Sequence, residues 1–333
     1  MIQNPRQGPG LPMREIARDL YMITLPMPFR LEHVNVFVLA GEDGAVLFDT
    51  GLNIPESINL LDTCLASIGL SSSDIRHIYL THFHADHCSC AGILKERSGA
   101  VIHMSDRDSA HLIRVRDEED RMVAVTTQFL SRHGLPEKTI AMIQRIFGMF
   151  RKVTAPFDVD EIVIPGETVI GGRPATAILT PGHAPGHMCY YFPGEGVLLS
   201  GDHVLPDITP NIGPDLFDPS YHPLEAFLDS LARVRDLPVS LVCPAHGIPF
   251  PDLAKRVDEI TEHHHVRKDL ILDALRREPR TTYGIAQDIF EGELSEFDSF
   301  LALNETFVHL VELVAEGFVK ESSVDRHIRY SPA

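Results

Sequence analysis

His82-Phe83-His84-Ala85-Asp86-His87 is the stretch on which the reading of this chain turns. It follows an apolar run ending at Leu80, and Ile75-Arg76-His77-Ile78-Tyr79-Leu80 reads as a strand. Three histidines and an aspartate within six residues is the density of a metal site, because imidazole and carboxylate are ligands that divalent ions take. In an extended segment, residues two apart project to one side, so His82 and His84 can grip one ion. Asp86 and His87, at the turn into the next helix, can reach a second ion nearby.

Three more loops repeat that context. His183 lies in Thr180-Pro181-Gly182-His183-Ala184-Pro185-Gly186-His187, after the strand Ala177 to Thr180. Asp202 lies in Ser200-Gly201-Asp202-His203, after Val197 to Ser200, and His246 in Cys243-Pro244-Ala245-His246-Gly247, after Val239 to Cys243. Loops at the C-terminal ends of buried strands are where open α/β sheets place their sites. Four such loops on one sheet edge can converge on one point.

This order of residues, from about Leu20 to Pro251, resembles the metallo-β-lactamase superfamily. Phe48-Asp49-Thr50-Gly51 is similar to that family's early Asp-Thr-Gly turn. The resemblance implies an α+β fold, an αβ/βα sandwich of two sheets between outer helices. It also implies two divalent ions, one held by His82, His84 and His183, the other by Asp86, His87 and His246, with Asp202 bridging them. Asp49 would orient a ligand from behind. The residue at Asp202 looks like the glyoxalase-II-like branch, since true β-lactamases often carry Cys there. Cys88-Ser89-Cys90 departs from the glycine that the family commonly has after the last motif histidine, and small residues packed at a helix start are expected there.

Zinc is the expected metal, and His with carboxylate also suits iron or manganese. Asp86, Asp202 and His187 are the catalytic candidates, His187 as a donor to substrate or a wall of the site. His203 reads either as local packing or as a group at or just behind the metals. His263-His264-His265 falls on a predicted helix and reads as a solvated face. Two ions bridged by a carboxylate also bridge a water, and metal binding brings its pKa toward neutrality, so that hydroxide attacks an electrophilic carbonyl. No Gly-x-Ser-x-Gly elbow and no phosphate-binding glycine loop is present.

Composition bounds the rest. A chain of 333 residues, 44% hydrophobic and 23% charged, is an ordinary globular protein of about two domains. Residues 1–261 are expected to form the catalytic domain, with a helical insertion at about 107–156. In that insertion Met142, Ile146, Phe147, Met149 and Phe150 either roof the cleft, which predicts a greasy acyl substrate, or merely pack the insertion down. Pro206 to Pro223, with Asn211, Tyr221 and His222, is expected as another wall. Residues 262–333 show three helical segments and a hairpin, with Thr282 as a cap and Gly317 as a stop. This resembles the small winged helix found behind some metallo-β-lactamase domains.

The formal charge of −18 disfavours nucleic acid and anionic membranes. Asp298, Glu305 and Glu312 on the third helix make it a poor groove reader, so the module is expected to pack, cover the site or form a homodimer. With no apolar leader, no membrane-length run and five scattered cysteines, the cytoplasm is the expected compartment. The function these features favour is a dinuclear metal hydrolase acting on a thioester, ester or lactone of a small acyl substrate. The alternatives are a single-stranded RNA endonuclease using a basic strip at Arg107, Arg114, Arg116 and Arg121, a mononuclear iron sulfur dioxygenase, and a nucleic-acid-binding regulator with a relic site. The full second ligand set counts against the dioxygenase, and the intact constellation against the relic.

Overall fold

The computed structural model describes residues 12–333. Strands β1 (Met13–Ala17), β2 (Leu20–Pro26), β3 (His33–Gly41) and β4 (Gly44–Phe48) form an antiparallel meander. Helix α1 (Pro55–Ser67) then leads to β5 (Ile75–Tyr79), which pairs parallel to β4. After α2 (Ala85–Cys88) and α3 (Ala91–Ser98), β6 (Val101–Met104) extends the sheet. Helices α4 (Asp106–Asp117), α5 (Glu119–Arg132) and α6 (Glu137–Val153) intervene before β7 (Glu161–Ile162) closes a seven-stranded sheet in the order β1 to β7.

The second sheet holds β8 (Gly166–Ile170), β9 (Arg173–Leu179), β10 (Met188–Phe192), β11 (Val197–Gly201) and β12 (Leu241–Pro244). Helix α7 (Pro223–Arg235) precedes β12. Helix α8 (Leu253–Leu275) follows it and runs unbroken through position 262, where the sequence changes character. Helices α9 (Thr282–Ile289) and α10 (Glu296–Ala315) and the hairpin β13 (Val319–Val324) and β14 (His327–Pro332) complete the chain.

The period-two alternation of strands explains why two sheets face one another. In β3, Val34, Val36 and Val38 point to the core under α1 and α3, while Phe37 and Leu39 point to the second sheet. In β10, Met188, Tyr190 and Phe192 face the first sheet, while Cys189 and Tyr191 face α7 and α8. Strands buried on both faces read as continuous apolar runs, as Val197 to Leu199 of β11 does. Phe48 lies at the centre, with its ring 5.3 Å from Tyr190 and 5.8 Å from Phe192 across the sheets. The result is the αβ/βα sandwich expected from the sequence.

The C-terminal elements pack on this frame. Leu303 of α10 is buried with Leu130, Ile140 and Ile143 of the α5–α6 region, and Phe147 meets Phe300 edge-on at 5.4 Å. Thr281, not Thr282, caps α9 by accepting from the Gly284 amide. The threonine nearest the apolar run is already inside the helix. His264 also differs from the expected solvated face. It is 1% exposed, and its Nδ1 lies 3.1 Å from Nε2 of His309 on α10. The three-histidine tract spans more than one face of α8, so His264 points inward while His265 stays exposed. All five cysteines are free and buried. Among the described residues no helix is long and apolar enough to cross a membrane.

Two measurements test this packing. Phe48→Ala removes the ring that spans the sheets and is expected to cost about 3–5 kcal/mol in urea unfolding. Burial, with the neighbouring imidazole second, holds His264 down to about 3, and burial holds His309 down to about 4, against 6.5 for a free imidazole. The unfolded chain therefore binds more protons below that value, and stability falls as pH drops through it. The urea midpoint should fall from pH 7 to pH 5 and fall less in His264→Gln; an equal fall would exonerate this pair.

Candidate metal centre

The strand directions bring the polar loops together. β5 ends at Tyr79, just before the motif. β9 and β11 are both antiparallel to β10 and so run the same way, and β12 is parallel to β11. His183, Asp202 and His246 therefore leave one edge of the second sheet, opposite His82 to His87 at the edge of the first.

Their donor atoms converge. Nδ1 of His84 lies 2.9 Å from Nε2 of His82 and 3.0 Å from Nε2 of His183. In the neighbouring group, Oδ2 of Asp86 lies 3.6 Å from Nε2 of His87 and 3.4 Å from Nε2 of His246. Asp202 stands between the groups. Its Oδ2 is 3.4 Å from His183 and 3.6 Å from His87, and its Oδ1 is 3.4 Å from His246. A tetrahedral ion with bonds of about 2.0–2.1 Å sets its ligand atoms roughly 3.3 Å apart, and these separations fit the edges of two coordination shells that would share Asp202. All seven residues expected as ligands are in this cluster.

Nε2 of His87, Nε2 of His246 and Oδ1 of Asp202 are buried and have no hydrogen-bond partner. Buried polar atoms are nearly always bonded, and these orphans all face one point. The donor set fits two divalent ions. Burial opposes charge on Asp86, Asp202, His87 and His246, yet their mutual attraction outweighs it. Both carboxylates are held well below the usual range, His87 well above its own and His246 up to about 10.

The outer ring nitrogens are tied down. Nδ1 of His87 donates to Oδ2 of Asp49 at 2.8 Å, and the same carboxylate accepts the Thr81 amide and hydroxyl, each at 2.8 Å. Nδ1 of His82 lies 3.0 Å from the Thr81 hydroxyl. Nδ1 of His183 donates to the Asn211 carbonyl and Nδ1 of His246 to the His33 carbonyl, both at 2.8 Å. Asp49 sits in the left-handed region at φ 56°, a conformation that Asp tolerates better than most residues. Asp49 thus lies behind His87, on the side away from Asp86 and Asp202.

His187 requires a correction. It is fully buried, its Nε2 accepts the Asp202 amide at 3.1 Å, and its Nδ1 donates to the Thr180 hydroxyl at 2.8 Å. With both nitrogens engaged it shapes the Asp202 loop and presents nothing to a substrate. A Cβ at Gly201 would lie 2.6 Å from that Nε2, so the loop needs glycine there. His203 is buried against Phe227. Cys88 and Cys90 are buried in the core under α3, and burial pushes the Cys90 thiol up to about 12.

Sequence reasoning missed three supports. Asp108, buried in the first turn of α4, accepts the Phe83 amide at 3.1 Å and the Gly186 amide at 2.6 Å, pinning two metal loops at once. Burial pushes its carboxyl up to about 7. Asn35 in β3 donates to the Pro244 and Gly247 carbonyls, bracketing His246. His33 offers its carbonyl to His246 and its Nε2 to the Gly247 amide. Asn35 sits as a polar residue inside the run Val34 to Leu39, which was the one available signal.

His84, Asp86 and His183 keep partial exposure, so the centre opens on their side. The C-terminal end of α6 is moored beside it, with Asn53 donating to the Val153 carbonyl and the Ala155 amide to the Ser89 carbonyl. Phe150 meets Phe29 of the β2–β3 loop at 5.3 Å, and Phe29, Leu31 and Met149 remain exposed. Ile146 and Phe147, by contrast, pack against α10. The arginine strip is already engaged. Arg107 lies over Tyr221, Arg114 and Arg121 over Phe217, and Arg116 pairs with Asp117 and Asp158.

A family model described as the metallo-beta-lactamase superfamily matches residues 30–246, and the chain belongs to that superfamily. It is similar to "Probable metallo-hydrolase YqjP" of Bacillus subtilis (strain 168), 25% identical over 303 residues, spanning 90% of this chain and 93% of that protein. Its fold is similar to the metallo-beta-lactamase family protein TTHA1429 from Thermus thermophilus, at TM-score 0.84 and 29% identity, over 96% of this chain and 100% of that one. The atrochrysone carboxyl ACP thioesterase of Aspergillus fumigatus is 25% identical over 252 residues, 75% of this chain but 46% of that protein.

Asp49→Ala tests the outer bonds. Losing such a partner typically lowers metal affinity 10–100-fold. Zinc competition against a chromophoric chelator should show a loss of about that size, with the fold unchanged by circular dichroism.

Proposed function

We propose that the chain is a dinuclear metal-dependent hydrolase that cleaves the thioester, ester or lactone of a small acyl substrate. The observation that carries this is the pair of ligand triads sharing Asp202, with orphaned donor atoms facing one point. Held by His82, His84 and His183 and by Asp86, His87 and His246, two divalent ions would supply a water acidified toward neutrality and a Lewis acid for a carbonyl oxygen.

The chain's own residues favour water over a covalent route. The thiols nearest the centre are buried and pushed up in pKa, so neither is an available nucleophile. Asp86 is partly exposed beside the opening, with Oδ2 facing His87 and His246. Asp202 spans both triads and holds them at one spacing. His84 and His183 border the open side and leave room for the scissile group.

The exposed Phe29, Leu31 and Met149 beside Phe150 support an apolar acyl group. The thioesterase named among the relatives supports the same class. We read residues up to 261 as the catalytic unit and 262–333 as a winged-helix module joined through α8. Three of its acidic groups are paired, Asp298 and Glu312 across to Arg30 and His222 of the catalytic unit and Glu305 with Arg267. Together with the engaged arginines, this favours a packing role over nucleic-acid binding.

The test is purified protein loaded with zinc, iron or manganese and assayed on acyl-CoA, acyl-glutathione, aryl ester and lactone substrates. Metal-dependent turnover of one class is expected, lost in His84→Ala with the fold retained. Cleavage of RNA alone, or oxygen uptake with a persulfide alone, would overturn the assignment.

A further inference from the structure

Four ligating histidines have a described partner on the outer ring nitrogen. Three of those partners belong to the sandwich: Thr81 just after β5, Asp49 just after β4, and His33 in β3. The fourth does not. His183 donates to the carbonyl of Asn211, in the stretch 202–222 that contains no helix or strand.

That stretch takes its shape from α10. The Asn211 side-chain amide donates to the Leu301 carbonyl of α10 at 3.0 Å. Ile212 is buried in one cluster with Val308 of α10. Further along, Nδ1 of His222 lies 3.3 Å from Oε1 of Glu312, also on α10. Asn211 is thus bonded on both sides, its backbone to a metal ligand and its side chain to the C-terminal helix. A backbone carbonyl on an irregular loop points where its neighbours hold it, and the direction of such an acceptor fixes the imidazole that donates to it.

We propose that Asn211 is a positioning residue through which α10 sets the orientation of His183, and so the affinity and geometry of the ion held by His82, His84 and His183. The inference rests on the two-ion reading of the site. It makes the C-terminal region part of the metal centre for one ion and not for the other. The other triad, Asp86, His87 and His246, has outer bonds only to the sandwich.

The test is metal binding rather than turnover. Apo wild type, Asn211→Asp, Asn211→Ala and Glu312→Gln are titrated with cobalt(II), following the d–d absorption, and with zinc against a chromophoric chelator. Asn211→Asp turns a carboxylate toward the Leu301 carbonyl, whereas Asn211→Ala only deletes the bond. Asn211→Ala therefore keeps the test open if Asn211→Asp does not fold. Wild type should take two equivalents. Both Asn211 variants should bind one ion about 10–100-fold more weakly, with an altered d–d band for that equivalent and the other equivalent unchanged. Glu312→Gln, which loosens the same loop away from His183, should match wild type. Unchanged binding of both ions in the Asn211 variants, or equal weakening of both, overturns the inference and leaves the two-ion reading standing. A wild type that takes up no ion overturns both.

Discussion

Everything in this molecule answers to one electrostatic constraint: seven residues aim nitrogen and oxygen lone pairs at a small buried volume. Adjacent donors lie 2.9–3.6 Å apart, far closer than unshared lone pairs tolerate without a proton or a cation between them. Two carboxylates and five imidazoles cannot be desolvated together on their own account. Divalent ions would resolve the conflict, and Asp202, which faces both triads, could then serve both positions.

Holding that arrangement requires rigidity behind it. The two sheets supply it by placing the loops at strand ends, with Phe48, Tyr190 and Phe192 packed between them. A further layer of polar bonds aims four of the five rings. Asp49 fixes His87 and Thr81 together, Asn35 brackets the His246 turn, and Asp108 reaches from α4 to the loops of His84 and His187. The α4–α6 insertion is therefore structural as well as a rim, since its first turn carries Asp108 and its last is moored beside α2.

Much of this was legible in the sequence. The ligand motif is local, and the candidate loops follow apolar strands, so the residues together with the family resemblance pointed to the seven that converge. Buried strands showed as continuous apolar runs, and α4–α6 as helical periodicity. What escaped were roles that depend on which way a side chain points. His187 sits in the same ligand-rich loop as His183 but turns inward to the Asp202 amide. His264 looks like part of an exposed tract until α10 covers it. Asp108 and His33 carry no distinguishing motif, because an aspartate in a helix's first turn and a histidine at a strand's start are ordinary.

The sequence by itself determined the candidate loops and, through their resemblance to a known superfamily, the fold that this resemblance implied, because the ligand motif and the apolar strands before it are local features. Only the tertiary structure decided which atoms of those residues face inward, which buried groups aim them and how α10 joins the centre. Those assignments rest on hydrogen bonds between residues far apart in the chain, such as His183 to Asn211 and Asn211 to Leu301. No periodicity records such a bond, because its direction exists only once the two segments have been packed together.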